Sequence, residues 1–174
     1  MMNLEAHLQP NLVLDGPVTR LTPEILQKYQ IKGLVLDVDE TLVPIREQKV
    51  SPEVLDWIVE IRQVSALWLV SNNISQSRIA AIAQAVDVPY LFGARKPSRR
   101  KVRQAVEQMQ LPQNQVAMVG DRLFTDVLVG NRLGMFSILV EPMISPTATP
   151  RPYSLRNVEV ALSQWLGVSL KITQ

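Results

Sequence analysis

The apolar run Gly33-Leu34-Val35-Leu36 passes directly into Asp37-Val38-Asp39-Glu40-Thr41-Leu42, and this junction constrains the fold more than any other stretch of the chain. A short, unbroken apolar run suits a strand buried inside a sheet. Two carboxylates two residues apart point the same way only while the strand stays extended. Crowding two negative charges at one spot is costly unless a cation sits between them or one carboxyl keeps its proton. The junction therefore predicts a buried strand whose carboxyl end carries a charged site, with a divalent metal as the balancing ion.

The rest of the chain alternates strand-like apolar runs with amphipathic segments, the pattern of an α/β protein with a parallel sheet. Strands are predicted at Lys32–Asp37, Ala66–Ser71, Pro89–Phe92, Val116–Val119 and Phe136–Val140. Thr22-Pro23-Glu24 and Ser51-Pro52-Glu53 both read as a capping residue followed by proline at the first helical position. The first starts a short helix to about Tyr29, and the second a helix whose face is Val54, Leu55, Ile58 and Ile61. Further helices are predicted at Ser75–Ala85, Ser98–Met109, Thr125–Leu133 (closed by Gly134) and Leu155–Leu166. Ser145 to Pro152 is proline-rich and reads as an extended connection. No internal repeat or domain boundary is visible, so residues 1–174 read as one domain with a motif-bearing core at about 32–140.

Composition removes several classes of function. With no cysteine, the chain has no disulfide, thiolate metal site or thiol nucleophile. Its one histidine, His7, is near the N-terminus, where a mobile segment is expected, so a serine-type triad or histidine-rich zinc site is disfavoured. A net charge of +2 is too small an excess to argue for nucleic acid. No window resembles a membrane span, and Met1–Pro10 lacks the layout of a secretory signal. The expected location is the cytoplasm, with peripheral contact at the inner face of a membrane.

Four polar signatures fall at the carboxyl ends of the predicted strands, where open α/β sheets bind ligands. They are Asp37/Asp39/Thr41, Ser71-Asn72-Asn73, Arg95-Lys96-Pro97 and Gly120-Asp121-Arg122 with Asp126. Alone they have bland readings: a solvated turn for the aspartate pair, a turn or helix cap for Ser71-Asn72-Asn73, a surface ion pair for Asp121-Arg122. Asp126 reads equally as a helix N-terminal acid favoured by the dipole. In this order, after apolar strands, the four together resemble the haloacid dehalogenase (HAD) superfamily of aspartate-nucleophile phosphatases.

That resemblance implies a three-layer, Rossmann-like parallel sheet with helices on both faces, and it implies roles for the residues. Asp37 would be the nucleophile and carry an aspartyl-phosphate, a step that needs charge neutralisation by Mg²⁺. The implied Mg²⁺ ligands are the Asp37 carboxylate, the Asp39 main-chain carbonyl and Asp121, with Asp126 beside them. Asp39 would protonate the leaving oxygen and later take a proton from water, helped by a pKa raised through crowding. Thr41 would support the turn by hydrogen bonding, Ser71 and the Asn72 main chain would bind phosphoryl oxygens, and Lys96 would add positive charge.

The intervals Leu42–Leu67 and Asn73–Ala94 each hold about one helix and its loops, leaving no room for a cap domain. An uncapped site suits a bulky substrate, or a small one enclosed by an oligomeric neighbour. Leu21-Thr22-Pro23-Glu24-Ile25-Leu26, Asp37 to Pro44, Gly120 to Val127 and the tail Arg151 to Asn157 resemble the YqeG-type branch, which is similar to the phosphatidylglycerophosphate phosphatases. The implied substrate is a phosphomonoester, in that branch an anionic phospholipid. Arg95, Lys96, Arg99, Arg100, Lys101 and Arg103 form a basic cluster that would attract an anionic bilayer, or an exposed helix face. Leu12-Val13-Leu14 and Ile144 would add apolar contact. Alternative readings are a soluble phosphatase for a sugar phosphate, nucleotide or phosphoprotein, and a non-catalytic regulatory module. Glu40 stands where many small-molecule phosphatases carry glycine, but it also occurs in uncapped phosphoprotein phosphatases.

Overall fold

The computed structural model describes residues 4–145, 161, 164 and 167–171. Its centre is a six-stranded, all-parallel sheet built from β1 (Leu12–Val13), β2 (Gly33–Leu36), β3 (Ala66–Val70), β4 (Tyr90–Leu91), β5 (Val116–Gly120) and β6 (Phe136–Leu139). The spatial order is β1-β6-β5-β2-β3-β4, with β2 between β5 and β3. β2 is buried at all four positions, which is why its sequence is apolar without alternation. Gly33 pairs with Val116 and with Ala66, so β2, β5 and β3 run in step and end at one edge.

Successive β2 residues serve opposite layers. Leu34 and Leu36 pack with Leu26 of α2 (Pro23–Lys28), Ile58 of α3 (Pro52–Ile61) and Ile82 of α4 (Gln76–Val86). Val35 packs on the other face with Val102 and Ala105 of α5 (Arg100–Met109). Sheet and helices thus form the three expected layers. Ser51 caps α3 by accepting from Val54 N at 3.3 Å, as its sequence predicts. Thr22 holds the corresponding position before α2, but its side chain bonds no main-chain N–H. Between β2 and β3 the chain forms only α3 with its loops, and between β3 and β4 only α4, so neither interval contains a cap domain.

Several expectations need correction. Leu12-Val13-Leu14 is not a membrane contact: Leu12 and Leu14 are buried, and β1 adds to the sheet edge beside β6. Two residues of strand carry too little pattern to show this in sequence. His7 lies in a short helix, α1 (Leu4–Leu8), rather than in a mobile end, and its carbonyl accepts from Asn131 Nδ2 at 2.8 Å. The single helix expected at Thr125–Leu133 is a π turn, Leu123–Val127, running into α6 (Leu128–Arg132). The π turn gives the segment an extra residue per turn close to the strand ends, as such turns often do at functional sites. The proline-rich connection beyond Ser145 and most of the predicted Leu155–Leu166 helix lie outside the described residues.

Trp57 of α3 donates its indole N–H to the Leu21 carbonyl at 2.7 Å in a buried setting. This bond ties the segment before α2 to α3. Trp57→Phe keeps most of the apolar volume but leaves that carbonyl unpaired, at a cost of about 1–2 kcal/mol. Thermal unfolding of W57F should show a Tm lower by a few degrees.

Candidate active site

The parallel register brings the carboxyl ends of β2, β3 and β5 side by side, and the residues following them converge. Asp37 follows β2, its N–H bonded to the Val119 carbonyl of β5 at 2.9 Å. Asp121 follows β5, and Asp126 returns from the π turn. Lys96 arrives on the segment after β4, where Asn72 holds it: Lys96 N donates to Asn72 Oδ1 at 2.6 Å, and Asn72 Nδ2 donates to the Lys96 carbonyl at 3.1 Å. Gly120 has a steric reason to be glycine. A Cβ there would stand 2.3 Å from Asp126 Oδ2.

Lys96 is buried, and its ammonium lies 2.7 Å from Asp37 Oδ1 and 2.7 Å from Asp126 Oδ1. The first contact is a hydrogen bond; the second is an ion pair without hydrogen-bond alignment. Burial alone would lower the Lys96 pKa, but Asp126 and Asp37 outweigh it and hold the group above its usual range. Asp126 Oδ2 also accepts from Arg122 N at 3.3 Å. Asp121 is almost fully buried, and neither of its carboxylate oxygens has a hydrogen-bond partner among the described residues. Ligand oxygens of Asp37, Asp121 and Asp126 all lie within 4.8 Å of one another.

Three carboxylates against one ammonium leave an excess of negative charge in a buried place, and the burial itself weighs most on their protonation. Burial pushes the Asp37 carboxyl up to about 7; Lys96 opposes this and Asp126 adds to it. Burial pushes Asp121 up to about 8, with Asp126, Asp37 and Glu40 adding repulsion and Arg122 opposing. Orphaned carboxylate oxygens with raised pKa values, gathered this closely, are a donor set that fits a hard divalent cation such as Mg²⁺. The carboxylate oxygens of Asp37 and Asp121 are the residues fitted to hold it, with Asp126 alongside.

The aspartate pair behaves differently from the expectation. The side chains of Asp37 and Asp39 pair with different cationic residues: the strand ends at Leu36, and the chain then curls so that N–H groups of Thr41, Leu42 and Val43 all point at the Val38 carbonyl. Glu40 takes φ +62°, a left-handed conformation that glycine adopts more readily. Asp39 turns instead to Arg78 of α4, whose Nη1 lies 2.6 Å from Asp39 Oδ1. Asn73 Nδ2 donates to Asp39 Oδ2 at 3.3 Å, and Ser71 Oγ lies 3.5 Å from that same oxygen. The crowded carboxylates are therefore Asp37, Asp121 and Asp126.

Ser71 and Asn72 lie beside Asp39 and Lys96, as expected of residues at one site. Ser71 Oγ accepts from Asn73 N at 3.0 Å, the turn bond expected of it. Thr41 is buried, but its hydroxyl has no hydrogen-bond partner among the described residues, so its expected side-chain support of the turn is not made. Arg78 was missed in sequence because nothing marks an arginine within a helix as facing a strand end. It also donates to the Glu47 carbonyl from Nε at 3.2 Å and Nη2 at 2.9 Å, fastening the loop after β2 to α4. The basic cluster divides as well. Lys96 belongs to the site and Lys101 packs over the Phe92 ring at 4.8 Å, whereas Arg95, Arg99, Arg100 and Arg103 are exposed. A small cavity of about 90 Å³ opens over the site between Asp37, Asp39, Asn72, Lys96, Arg122 and Ile45.

Comparison with known proteins agrees with this geometry. A family model described as "Mitochondrial PGP phosphatase" matches residues 4–145. The "Probable phosphatase YqeG" of Bacillus subtilis (strain 168) is 32% identical over 128 residues, covering 74% of each chain. The mitochondrial phosphatidylglycerophosphatase GEP4 of Saccharomyces cerevisiae is 28% identical over 150 residues, covering 79% of each chain. Phosphatidylglycerophosphate phosphatase 1 of Arabidopsis thaliana is 26% identical over 161 residues, covering 85% of this chain but 45% of that one. Among solved structures, the 3-deoxy-D-manno-octulosonate 8-phosphate phosphatase of Moraxella catarrhalis has a TM-score of 0.50 at 18% identity, covering 84% of this chain and 93% of that one. At that identity the likeness speaks for the fold. Fold and relatives together define a phosphoric monoester hydrolase of the HAD superfamily. Within it, the chain belongs to the PGP phosphatase family, the branch that includes YqeG.

Proton linkage makes the proposed metal site testable without turnover. The pKa values of Asp37 and Asp121 are raised from 3.8, so the metal-free fold binds more protons than the unfolded chain between about pH 4 and 8. These two groups therefore cost stability as pH rises through that window. A divalent cation favours the ionised carboxylates, so its binding releases protons and tightens with pH. The Tm gain on adding Mg²⁺ should grow from pH 5 to pH 8, and Asp121→Asn should remove it. A gain that does not change with pH would rule these carboxylates out as ligands.

Proposed function

We propose that this chain hydrolyses phosphatidylglycerophosphate by two successive phosphoryl transfers at Asp37, with Mg²⁺ as cofactor. The observation that carries this reading is the Asp37–Lys96–Asp126 contact, with Asp121 beside it, at the floor of a cavity that no cap covers. Asp37 would attack phosphorus and form the aspartyl-phosphate as the ester P–O bond breaks. Asp39 would give a proton to the leaving oxygen and, in the second transfer, take one from the water that attacks the aspartyl-phosphate. Lys96 would keep the Asp37 oxygen in line and balance charge on the transferred group, while Ser71 Oγ and the Asn72 main chain would bind its oxygens. Thr41, buried beside this turn, would join the phosphate-binding residues through its hydroxyl. Mg²⁺, held by Asp37, Asp121 and the Asp39 carbonyl with Asp126 adjacent, would supply the charge neutralisation that lets a carboxylate approach an anionic phosphate.

The lipid enters through the relatives. The named plant and yeast proteins are phosphatidylglycerophosphate phosphatases, and an uncapped site suits a substrate whose bulk stays outside. Among the described residues no helix is long and apolar enough to cross a membrane. We infer a peripheral enzyme that meets its substrate at a bilayer surface. A purely regulatory module would give no reason to bury three carboxylates against a lysine.

Phosphate release from phosphatidylglycerophosphate in detergent micelles with Mg²⁺ tests the reading. Asp37→Asn should lower the rate by at least about a thousandfold while the circular dichroism spectrum is kept. Turnover of a soluble sugar phosphate with none of the lipid would sink the lipid assignment, and an active D37N would sink the nucleophile.

Arg78 acts through Asp39 and is a positioning residue. Losing its 2.6 Å contact frees the Asp39 carboxylate and unfastens the loop at Glu47. Arg78→Ala should lower kcat roughly ten- to a hundredfold with a smaller change in KM. Arg78→Lys, which keeps one charge but not the forked contact, should recover part of the loss.

A further inference from the structure

Three isoleucines are exposed at the carboxyl edge of the sheet, each on the loop after a different strand. Ile45 follows β2 and is 52% exposed, Ile74 follows β3 and is 84% exposed, and Ile144 follows β6 and is 71% exposed. The other large exposed apolar residues among those described, Val59 and Val64, lie in the last turn of α3 and before the amino end of β3. Exposing branched aliphatic side chains at loop tips has no folding benefit, since none of the three packs in the core.

The three loops are fastened to one another. Met143 N donates to the Glu40 carbonyl at 2.6 Å, which draws the segment after β6 against the turn after β2. Arg78 joins the loop at Glu47 to α4, and Asn73, next to Ile74, bonds Asp39. Ile45 lines the mouth of the site cavity. Ile144 borders a second, shallow groove of about 340 Å³ together with Leu42, Pro44 and Met143. The apolar tips therefore surround the opening above Asp37.

Cations outnumber acids among the exposed charges at this edge. Arg46 and Lys49 are exposed beside Ile45, and Arg95, Arg99 and Arg100 on the segment after β4, against the exposed acids Asp15, Glu53 and Glu141, the last two bordering the Ile144 groove. Apolar tips flanked by cations match the interface of an anionic bilayer, where side chains enter the acyl boundary and ammonium or guanidinium groups meet phosphates. A protein partner would need a larger continuous apolar surface than three separated tips provide. The cavity's 90 Å³ admits little beyond a phosphoryl group, so the remainder of any larger substrate must lie across this rim.

We propose that the loops bearing Ile45, Ile74 and Ile144 form a membrane-contact rim that lays the open cavity against an anionic phospholipid surface. The proposal rests on the lipid-substrate reading above, and it replaces Leu12–Leu14 as the apolar contact. Ile45 borders the cavity, so the test uses the two tips that do not.

Flotation with phosphatidylcholine vesicles, with and without phosphatidylglycerol, measures the contact without turnover. The wild-type chain should partition onto the anionic vesicles and be released by high salt. Ile74→Ser with Ile144→Ser should weaken partition by roughly tenfold or more. The Mg²⁺-dependent Tm gain should remain, because both side chains are exposed and neither lines the cavity. Arg46→Glu with Arg99→Glu should weaken partition onto the anionic vesicles only. The rim is overturned if the double serine variant partitions like wild type, or if these substitutions abolish a homodimer without altering vesicle binding. It is overturned separately from the substrate if the wild type releases phosphate from micellar phosphatidylglycerophosphate yet ignores anionic vesicles. Partition that depends on the isoleucines, without release of phosphate from that lipid, supports the rim and removes the substrate reading.

Discussion

The rest of the site depends on one buried ammonium. Lys96 Nζ sits between Asp37 and Asp126, and each of the three groups would be costly to bury without the others. Lys96 is fixed from its own main chain by Asn72, and Asp126 by the Arg122 N–H. The ammonium thus joins the ends of β2 and β5 to the segments after β3 and β4. It does not finish the neutralisation. Asp121 has no hydrogen-bond partner among the described residues, and burial above all, with repulsion from neighbouring carboxylates added, raises the pKa values of Asp37 and Asp121. A site left one cation short in this way is unfavourable for the isolated fold and favourable for a divalent ligand.

The sheet makes the arrangement possible because its register is parallel and in step. Leu36 pairs with Leu69 and with Val119, so the three strands that feed the site stop together. Each ending is irregular in its own way: a tight turn around Val38 with Glu40 at positive φ, an Asn72 clamp, and a π turn. These departures from regular geometry lie where polar groups have to be aimed, and the rest of the sheet is plain.

Much of this was legible in sequence, for identifiable reasons. β2 and β5 were readable because burial on both faces leaves an unbroken apolar run, and the residues after them were readable because carboxylates there have few other uses. Asp37, Lys96, Asp121 and Asp126 do meet. The Asp39–Arg78 pair was not legible because residue spacing describes a strand, and the strand had already ended at Leu36. Arg78 carried no signal, being an ordinary polar residue in an amphipathic helix whose reach to Asp39 depends on how α4 docks. β1 was hidden because two residues form no period, and the same Leu12-Val13-Leu14 run fits an edge strand or a surface patch equally well. Packing decided, by burying Leu12 and Leu14 against the sheet.

An uncapped site changes where selectivity can reside. In a cavity of about 90 Å³ the floor is charged and recognises a phosphoryl group, which every phosphomonoester shares. Floor contacts therefore act on all candidate substrates about equally and cannot choose among them. Discrimination has to come from the mouth of the cavity and beyond it, from Arg122 and Ile45 in its lining and the loop tips on either side. Arg122 both lines the cavity and, through its N–H, holds Asp126, so any demand the substrate makes on that segment is felt one bond from Lys96. The rim and the floor are then mechanically continuous, even though one meets the bulk of the substrate and the other only its phosphate.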